Sequence, residues 1–232
     1  MPQTTIRVQR DIRAERQAAA EAFGREMTAQ GTLLVRLLSS PGAGKTMLLE
    51  KTAARISGEY RVGVLVGDVE TDRDAQRLAP FAPTRQITTG GACHLELPLV
   101  QRALPDLGSQ SFDFLFVEDV GNLICPASHD LGEHLRVIVL STPEGDDKPG
   151  KYPKAFRTSQ AVVISKRDLL EHVPFSVERA TADARAVQPA LTVLSLSALT
   201  GEGLAEWCEF LLQRRTEMLQ HRSPRSRLET NV

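Results

Sequence analysis

Ser39-Ser40-Pro41-Gly42-Ala43-Gly44-Lys45-Thr46 is the stretch of this chain best suited to chemistry. Two glycines let backbone N–H groups turn inward, Lys45 brings a mobile positive charge, and the Thr46 hydroxyl suits Mg²⁺. That set matches a row of phosphates. An apolar run, Leu33 to Leu38, precedes it, and a helix-like run, Met47 to Ala54, follows. Strand, glycine loop, lysine, hydroxyl and helix is the order of a phosphate cradle, and the helix N-terminus adds favourable partial charge. Pro41, Gly42, Ala43, Gly44, Lys45 and Thr46 are the candidate phosphate-binding residues. Ser39 stands where the general pattern opens with glycine.

Other loops carry matching chemistry, each behind an apolar run. Asp68 follows Val62 to Gly67, and Glu118 and Asp119 follow Phe114 to Val117. Carboxylates there can hold Mg²⁺ directly or through its waters, and Asp68 can also position an attacking water. Each could instead be a helix N-cap or a solvated loop acid. Lys45, Asp68 and Glu118 are the candidates for residues around the reacting phosphate. Ser165-Lys166-Arg167-Asp168 resembles the guanine-reading motif of GTPases, usually Asn-Lys-x-Asp. An Asp168 carboxylate can accept from both N1–H and the 2-amino group of guanine, a donor pair that adenine lacks. Ser197-Ala198-Leu199 looks like the last nucleotide loop, whose N–H groups meet the guanine carbonyl. The order of the loops is more specific than any one of them, and it selects GTP or GDP with Mg²⁺.

Positioning these loops requires strands that end beside one another. Candidate strands are 32–38, 62–67, 85–88, 112–117, 136–141, 161–165 and 191–196. Candidate helices are 45–57, 72–79, 94–104, 175–187 and 203–219. Val62 to Val66 and Val137 to Leu140 are apolar throughout, as strands covered on both faces require. The alternation predicts an α/β fold, a mostly parallel sheet with helices on both faces, with ligands at the carboxyl ends of the strands. Residues 1–30 read as an N-terminal helical extension, with Ile12, Ala19, Phe23 and Met27 near one face. The nucleotide-binding domain spans 31–220, and residues 221–232, rich in Arg and Ser, read as a disordered tail.

The chain has 232 residues and a formal net charge of −1. Such a balance does not advertise nucleic acid or an anionic membrane as partner. No apolar run reaches membrane-spanning length and no signal segment opens the chain, so the expected location is the cytoplasm. Three scattered cysteines do not form a disulfide framework.

Cys93 and His94 are adjacent behind Gly90 and Gly91, where a loop is expected to enter a helix, and Cys125 follows Glu118 by a few residues. Thiolates and imidazole suit Zn²⁺ or Ni²⁺, and a helix N-terminus would favour the thiolate. Spacing alone does not settle it. Neighbouring side chains diverge on a helix, and three ligands fall short of a closed site unless two chains meet. Small half-buried cysteines and a surface histidine remain the simpler reading. His129, His134, His172 and His221 show no ligand-like grouping, and Cys208 beside Trp207 reads as core.

With these residues in view, the chain resembles the HypB family, SIMIBI-class P-loop GTPases that assist nickel insertion into [NiFe]-hydrogenase. The resemblance covers about residues 30–215. It rests on the cradle with its Ser39, Gly67-Asp68 with Asp74-Ala75, Cys93-His94-Leu95, and Glu118 with Val120-Gly121-Asn122-Leu123 and Cys125-Pro126. Glu144 to Lys148 and Lys151-Tyr152-Pro153 continue it. The resemblance implies a metal site at Cys93, His94 and Cys125, which reverses the simpler reading. It also implies slow GTP hydrolysis, a GTP-dependent homodimer, a HypA-type nickel metallochaperone as partner and the hydrogenase large-subunit precursor as target. Ser165 replaces the usual Asn, Leu199 the usual Lys, and Asp119 an Asn. The N-terminal stretch carries neither a Cys-rich nor a His-rich motif, so nickel storage there is not expected. Two alternatives stand beside this: a urease-type nickel GTPase, disfavoured by Cys125-Pro126-Ala127 where that family has Cys-Pro-His, and a metal-binding scaffold with a vestigial nucleotide site.

Overall fold

A computed structural model describes residues 3–70, 72–108 and 111–222. Its elements are α1 (Gln3–Gln30), β1 (Leu33–Ser39), α2 (Lys45–Ile56), β2 (Val62–Asp68), α3 (Arg73–Leu78), β3 (Thr84–Thr88), α4 (Leu97–Ala103), β4 (Phe114–Glu118) and β5 (Leu135–Ser141). Then come α5 (Lys148–Lys151), α6 (Pro153–Arg157), β6 (Ala161–Ser165), α7 (Val177–Val187), β7 (Thr192–Ser195) and α8 (Leu204–Arg222). The seven strands form one sheet in the order β3-β2-β4-β1-β5-β6-β7. Every pairing is parallel. The expected α/β architecture is therefore present, with each strand within two residues of its expected ends.

Alternation along the strands splits the core into two layers. Leu33, Val35 and Leu37 of β1 face α2 and α8, together with Phe114 and Phe116 of β4. On that side Trp207 is fully buried and its indole N–H donates to Thr52 Oγ1 at 2.9 Å. Leu34, with Leu115 and Val117, faces the other way onto Ala20, Phe23 and Met27 of α1 and onto Leu97 and Val100 of α4. Both faces are thus covered, which is why the central strands read as unbroken apolar runs. A one-residue slip of β1 would exchange the two core layers.

Three expectations need correction. Ile12 and Ala19 are exposed, so the buried face of α1 is set by Ala20, Phe23 and Met27 instead. The fourth helix begins at Leu97, leaving 94–96 in a loop. At the other end α8 continues through His221 to Arg222, and the rest of the expected tail lies outside the described residues.

Candidate functional site

The strand order reverses around β1, and the loops after β1, β2, β4, β6 and β7 converge there. A cavity of ≈ 790 Å³ lies over these strand ends. Pro41 to Thr46, Asp68, Glu118, Lys166, Asp168, Ala198 and Leu199 all line it. Its size suits a nucleotide. Ser197 sits behind the wall, fully buried, and its hydroxyl donates to Asp168 Oδ1. Gly44 caps the start of α2 with φ 98°, a left-handed conformation that L side chains rarely adopt. Gly121 backs onto the cradle, where an added Cβ would stand 3.0 Å from Pro41 Cα.

Lys45 is 7% exposed and its Nζ donates to Ser39 Oγ at 2.8 Å. The serine that replaces the usual glycine therefore parks the lysine. Thr46 Oγ1 donates to Glu118 Oε1 at 2.9 Å, while Glu118 Oε2 is buried with no hydrogen-bond partner among the described residues. Burial pushes the Glu118 carboxyl up to about 7, against the pull of Lys45 and Thr46. An orphaned buried carboxylate oxygen beside a threonine hydroxyl is a donor set that fits Mg²⁺. Asp68 ends β2, and its Oδ1 accepts from Glu70 N–H at 3.0 Å.

At the base end, Lys166 holds φ 59°, a left-handed non-glycine conformation of the kind found at functional sites. Its Nζ donates to the Gly42 carbonyl at 2.7 Å, and its own carbonyl accepts from Thr142 Oγ1 at 2.9 Å. Ser165 takes over the tie that the missing Asn amide would supply: its hydroxyl donates to the Ala43 carbonyl at 2.7 Å. Leu199 is 69% exposed. Arg77, which sequence reasoning passed over, lines the same cavity, paired with Glu50 at 2.9 Å and Asp74 at 3.4 Å.

Cys93, His94 and Cys125 come together, their donor atoms within 4.8 Å of one another. Because 93–96 is a loop, the divergence expected of helical neighbours does not apply, and Cys93 Sγ lies 3.7 Å from His94 Nδ1. Nor does a helix N-terminus favour the thiolate, since α4 starts four residues later. The hydrogen bond with Cys125 instead raises the Cys93 pKa. Burial, then the neighbouring His129, lowers that of His94, which keeps the imidazole neutral and able to ligate. Two thiols and an imidazole are a donor set that fits Zn²⁺ or Ni²⁺.

Two ties join the cavity to this cluster. Asn122 forms an isolated antiparallel bridge with Ser39, donates from Nδ2 to the Cys93 carbonyl at 3.2 Å, and accepts at Oδ1 from Ile124 N–H at 2.8 Å. Asp119 is 1% exposed; its Oδ1 accepts from Leu95 N–H at 3.0 Å and Val120 N–H at 2.8 Å. Its Oδ2 takes the Arg36 guanidinium, which also donates to the His129 carbonyl. The Asp for Asn change is thereby matched by a buried arginine from the middle of β1. Arg36 holds the two cysteine-bearing turns in register, and the apolar run around it gave no hint of the role.

A glycine loop between a central parallel strand and a helix, under a nucleotide-sized cavity, defines a P-loop nucleotide-binding protein. The family description "CobW/HypB/UreG, nucleotide-binding domain" matches residues 33–195. The chain is 40% identical over 211 residues to the hydrogenase maturation factor HypB of Escherichia coli K12, covering 90% of this chain and 73% of that protein. The crystal structure of HypB from Archaeoglobus fulgidus superposes with a TM-score of 0.80 at 37% identity, over 87% of this chain and 99% of that one. HypB from Helicobacter pylori in complex with nickel gives 0.82 at 35% identity, over 91% and 99%. The chain belongs to the HypB family of hydrogenase maturation factors. Among the described residues, no helix is long and apolar enough to cross a membrane.

Proposed function

We propose that this chain is a GTP-hydrolysing metallochaperone that assists nickel insertion into [NiFe]-hydrogenase in the cytoplasm. One observation carries the reading. The segment from Glu118 to Cys125 lines the nucleotide cavity at one end and supplies a thiol at the other, with Asn122 tied to both. Support for nickel as the cargo comes from the donor set and from the nickel complex of the Helicobacter pylori relative.

Lys45 and the cradle N–H groups bind the β- and γ-phosphates, and Lys45 leaves Ser39 to do so. Asp168 and Lys166 select guanine. Thr46, Asp68 and Glu118 are the residues that would hold Mg²⁺, which when bound neutralises charge developing on the phosphates. Asp68 orients the attacking water. Loss of the γ-phosphate releases the 118–122 loop, and Asn122 and Asp119 pass that change to Cys93 and Cys125. Cys93, His94 and Cys125 hold Ni²⁺, or Zn²⁺ in its place, and GTP-dependent pairing of two copies would complete the coordination. A HypA-type metallochaperone and the hydrogenase large-subunit precursor are the partners this role requires.

The test is GTP turnover and Ni²⁺ binding measured on one set of proteins. Lys45→Ala abolishes turnover and Cys93→Ser/Cys125→Ser abolishes thiolate-ligated nickel while leaving turnover measurable. Equal turnover by wild type and Lys45→Ala would overturn the reading in favour of a scaffold.

A further inference from the structure

His129 is not among the ligands that the family resemblance implies. In the structure its ring stacks on His94, with centroids 3.8 Å apart and planes 24° apart. The donor atoms of His94, Glu96 and His129 lie within 4.8 Å of one another, as do those of Cys93, His94 and Cys125. His94 belongs to both sets and has a nitrogen for each. Its Nδ1 faces Cys93, and its Nε2 lies 3.7 Å from Glu96 Oε1 with no hydrogen-bond partner among the described residues.

We propose that His129, Glu96 and Nε2 of His94 form a second divalent-cation subsite beside the cysteine pair, taking Ni²⁺ or Zn²⁺ through nitrogen and oxygen donors. It rests on the metal reading above and extends it. The wiring of His129 supports the assignment. Its Nδ1 lies 2.9 Å from the Cys125 carbonyl, which can only accept, so Nδ1 carries the hydrogen and Nε2 keeps a free lone pair. Metal-binding imidazoles are oriented by such a bond from the far nitrogen. The His129 carbonyl in turn accepts from Arg36 and, at 3.1 Å, from Arg136, which fixes the backbone that carries the ring.

Two imidazoles and a carboxylate are harder donors than two thiolates, yet both sets suit the same borderline ions. As the rings stand, stacked planes do not aim both lone pairs at one point. An ion about 2 Å from each nitrogen requires the His94 ring to turn out of the stack, and its Nε2 has no hydrogen bond to break. Arg16, 4.0 Å from Glu96 Oε1, is the competing cation, and that pair is solvent-exposed and weak. A shared His94 lets one ion pass from the thiols to the nitrogen and oxygen donors without leaving the protein. The second subsite is then the position from which nickel leaves for a softer or better-closed acceptor.

The test titrates Ni²⁺ into the full chain. Proteins compared are wild type, Cys93→Ser/Cys125→Ser, that double variant with His129→Gln added, and His129→Gln alone. Equilibrium dialysis gives stoichiometry and affinity, and near-ultraviolet absorption reads thiolate-to-nickel charge transfer. The double cysteine variant should retain one Ni²⁺, held about tenfold or more weakly once His129→Gln is added. His129→Gln alone should leave the charge-transfer band in place. If the double cysteine variant retains no Ni²⁺, or holds it equally with and without His129, the second subsite does not exist. Should His129→Gln fail to fold, Glu96→Gln serves instead: Glu96 is the N-cap of α4 and makes no capping hydrogen bond through its side chain. A wild type without the charge-transfer band would sink the thiolate reading separately.

Discussion

Glu118 gives the sharpest prediction, because its burial has a sign and a size. Its carboxyl is raised from an ordinary 4.5 to about 7, chiefly by burial. A carboxyl raised in the folded state contributes stability that is fully present below about 4.5 and is lost as pH rises through about 7. At 1.36 kcal/mol for each factor of ten, the raised carboxyl costs the nucleotide-free protein about 3 kcal/mol at pH 8, where it is ionised in both states, and about 1 kcal/mol at pH 5.5, where only the unfolded chain has lost the proton. Glu118→Gln keeps the acceptor for Thr46 and removes the ionisation. Against wild type, the variant should therefore gain about 2 kcal/mol on going from pH 5.5 to 8, or about 4–8 °C in Tm for a chain of this size. An amide NH₂ left without a partner subtracts about 1 kcal/mol at both pH values and cancels in the difference. Urea unfolding with EDTA and no nucleotide measures it. Parallel pH profiles for the two proteins would refute the reasoning. Adding Mg²⁺ and GDP should reverse the order, since only wild type can give the cation a carboxylate.

Lys45→Ala should weaken GDP and GTP about tenfold to a hundredfold, as loss of a charge-assisted contact to phosphate requires, measured by titration with a fluorescent nucleotide. Asp168→Asn exchanges an acceptor for a donor, so guanine nucleotides should lose about a hundredfold or more and xanthine nucleotides, with a carbonyl at position 2, should gain; competition binding reads both. Arg36→Met leaves Asp119 and Glu133 buried without their guanidinium and should cost about 3–5 kcal/mol, read as a Tm lowered by about 10 °C.

The strands were legible because β1, β4, β5 and β6 are covered on both faces, and that coverage writes an unbroken apolar run into each. The cradle was legible because its loop chemistry and flanking elements are contiguous. The short helices α5 and α6 were not, since four or five residues with Pro149 and Pro153 carry too little periodicity to signal a helix. The convergence of Cys93 and His94 is not legible in the sequence for a local reason: Glu96 is extended before α4 and Leu95 N–H is tied to Asp119, so the two side chains meet where a helix would have spread them. Arg36 and Asp119 are 83 residues apart in sequence, and a lone arginine inside an apolar strand gives no sign of its partner. His129 carries no ligand-like signal in the sequence because His94 and Glu96 lie on a different segment and meet it only in the fold.

The central claim is that the nucleotide cavity and the thiol cluster are one coupled device through Asn122 and Asp119. The Ni²⁺ dissociation constant measured with GDP and with a non-hydrolysable GTP analogue tests it directly. Coupling predicts values that differ about fivefold or more, and a gap that closes in Asn122→Ala. Equal constants in the two nucleotide states of the wild type would contradict it.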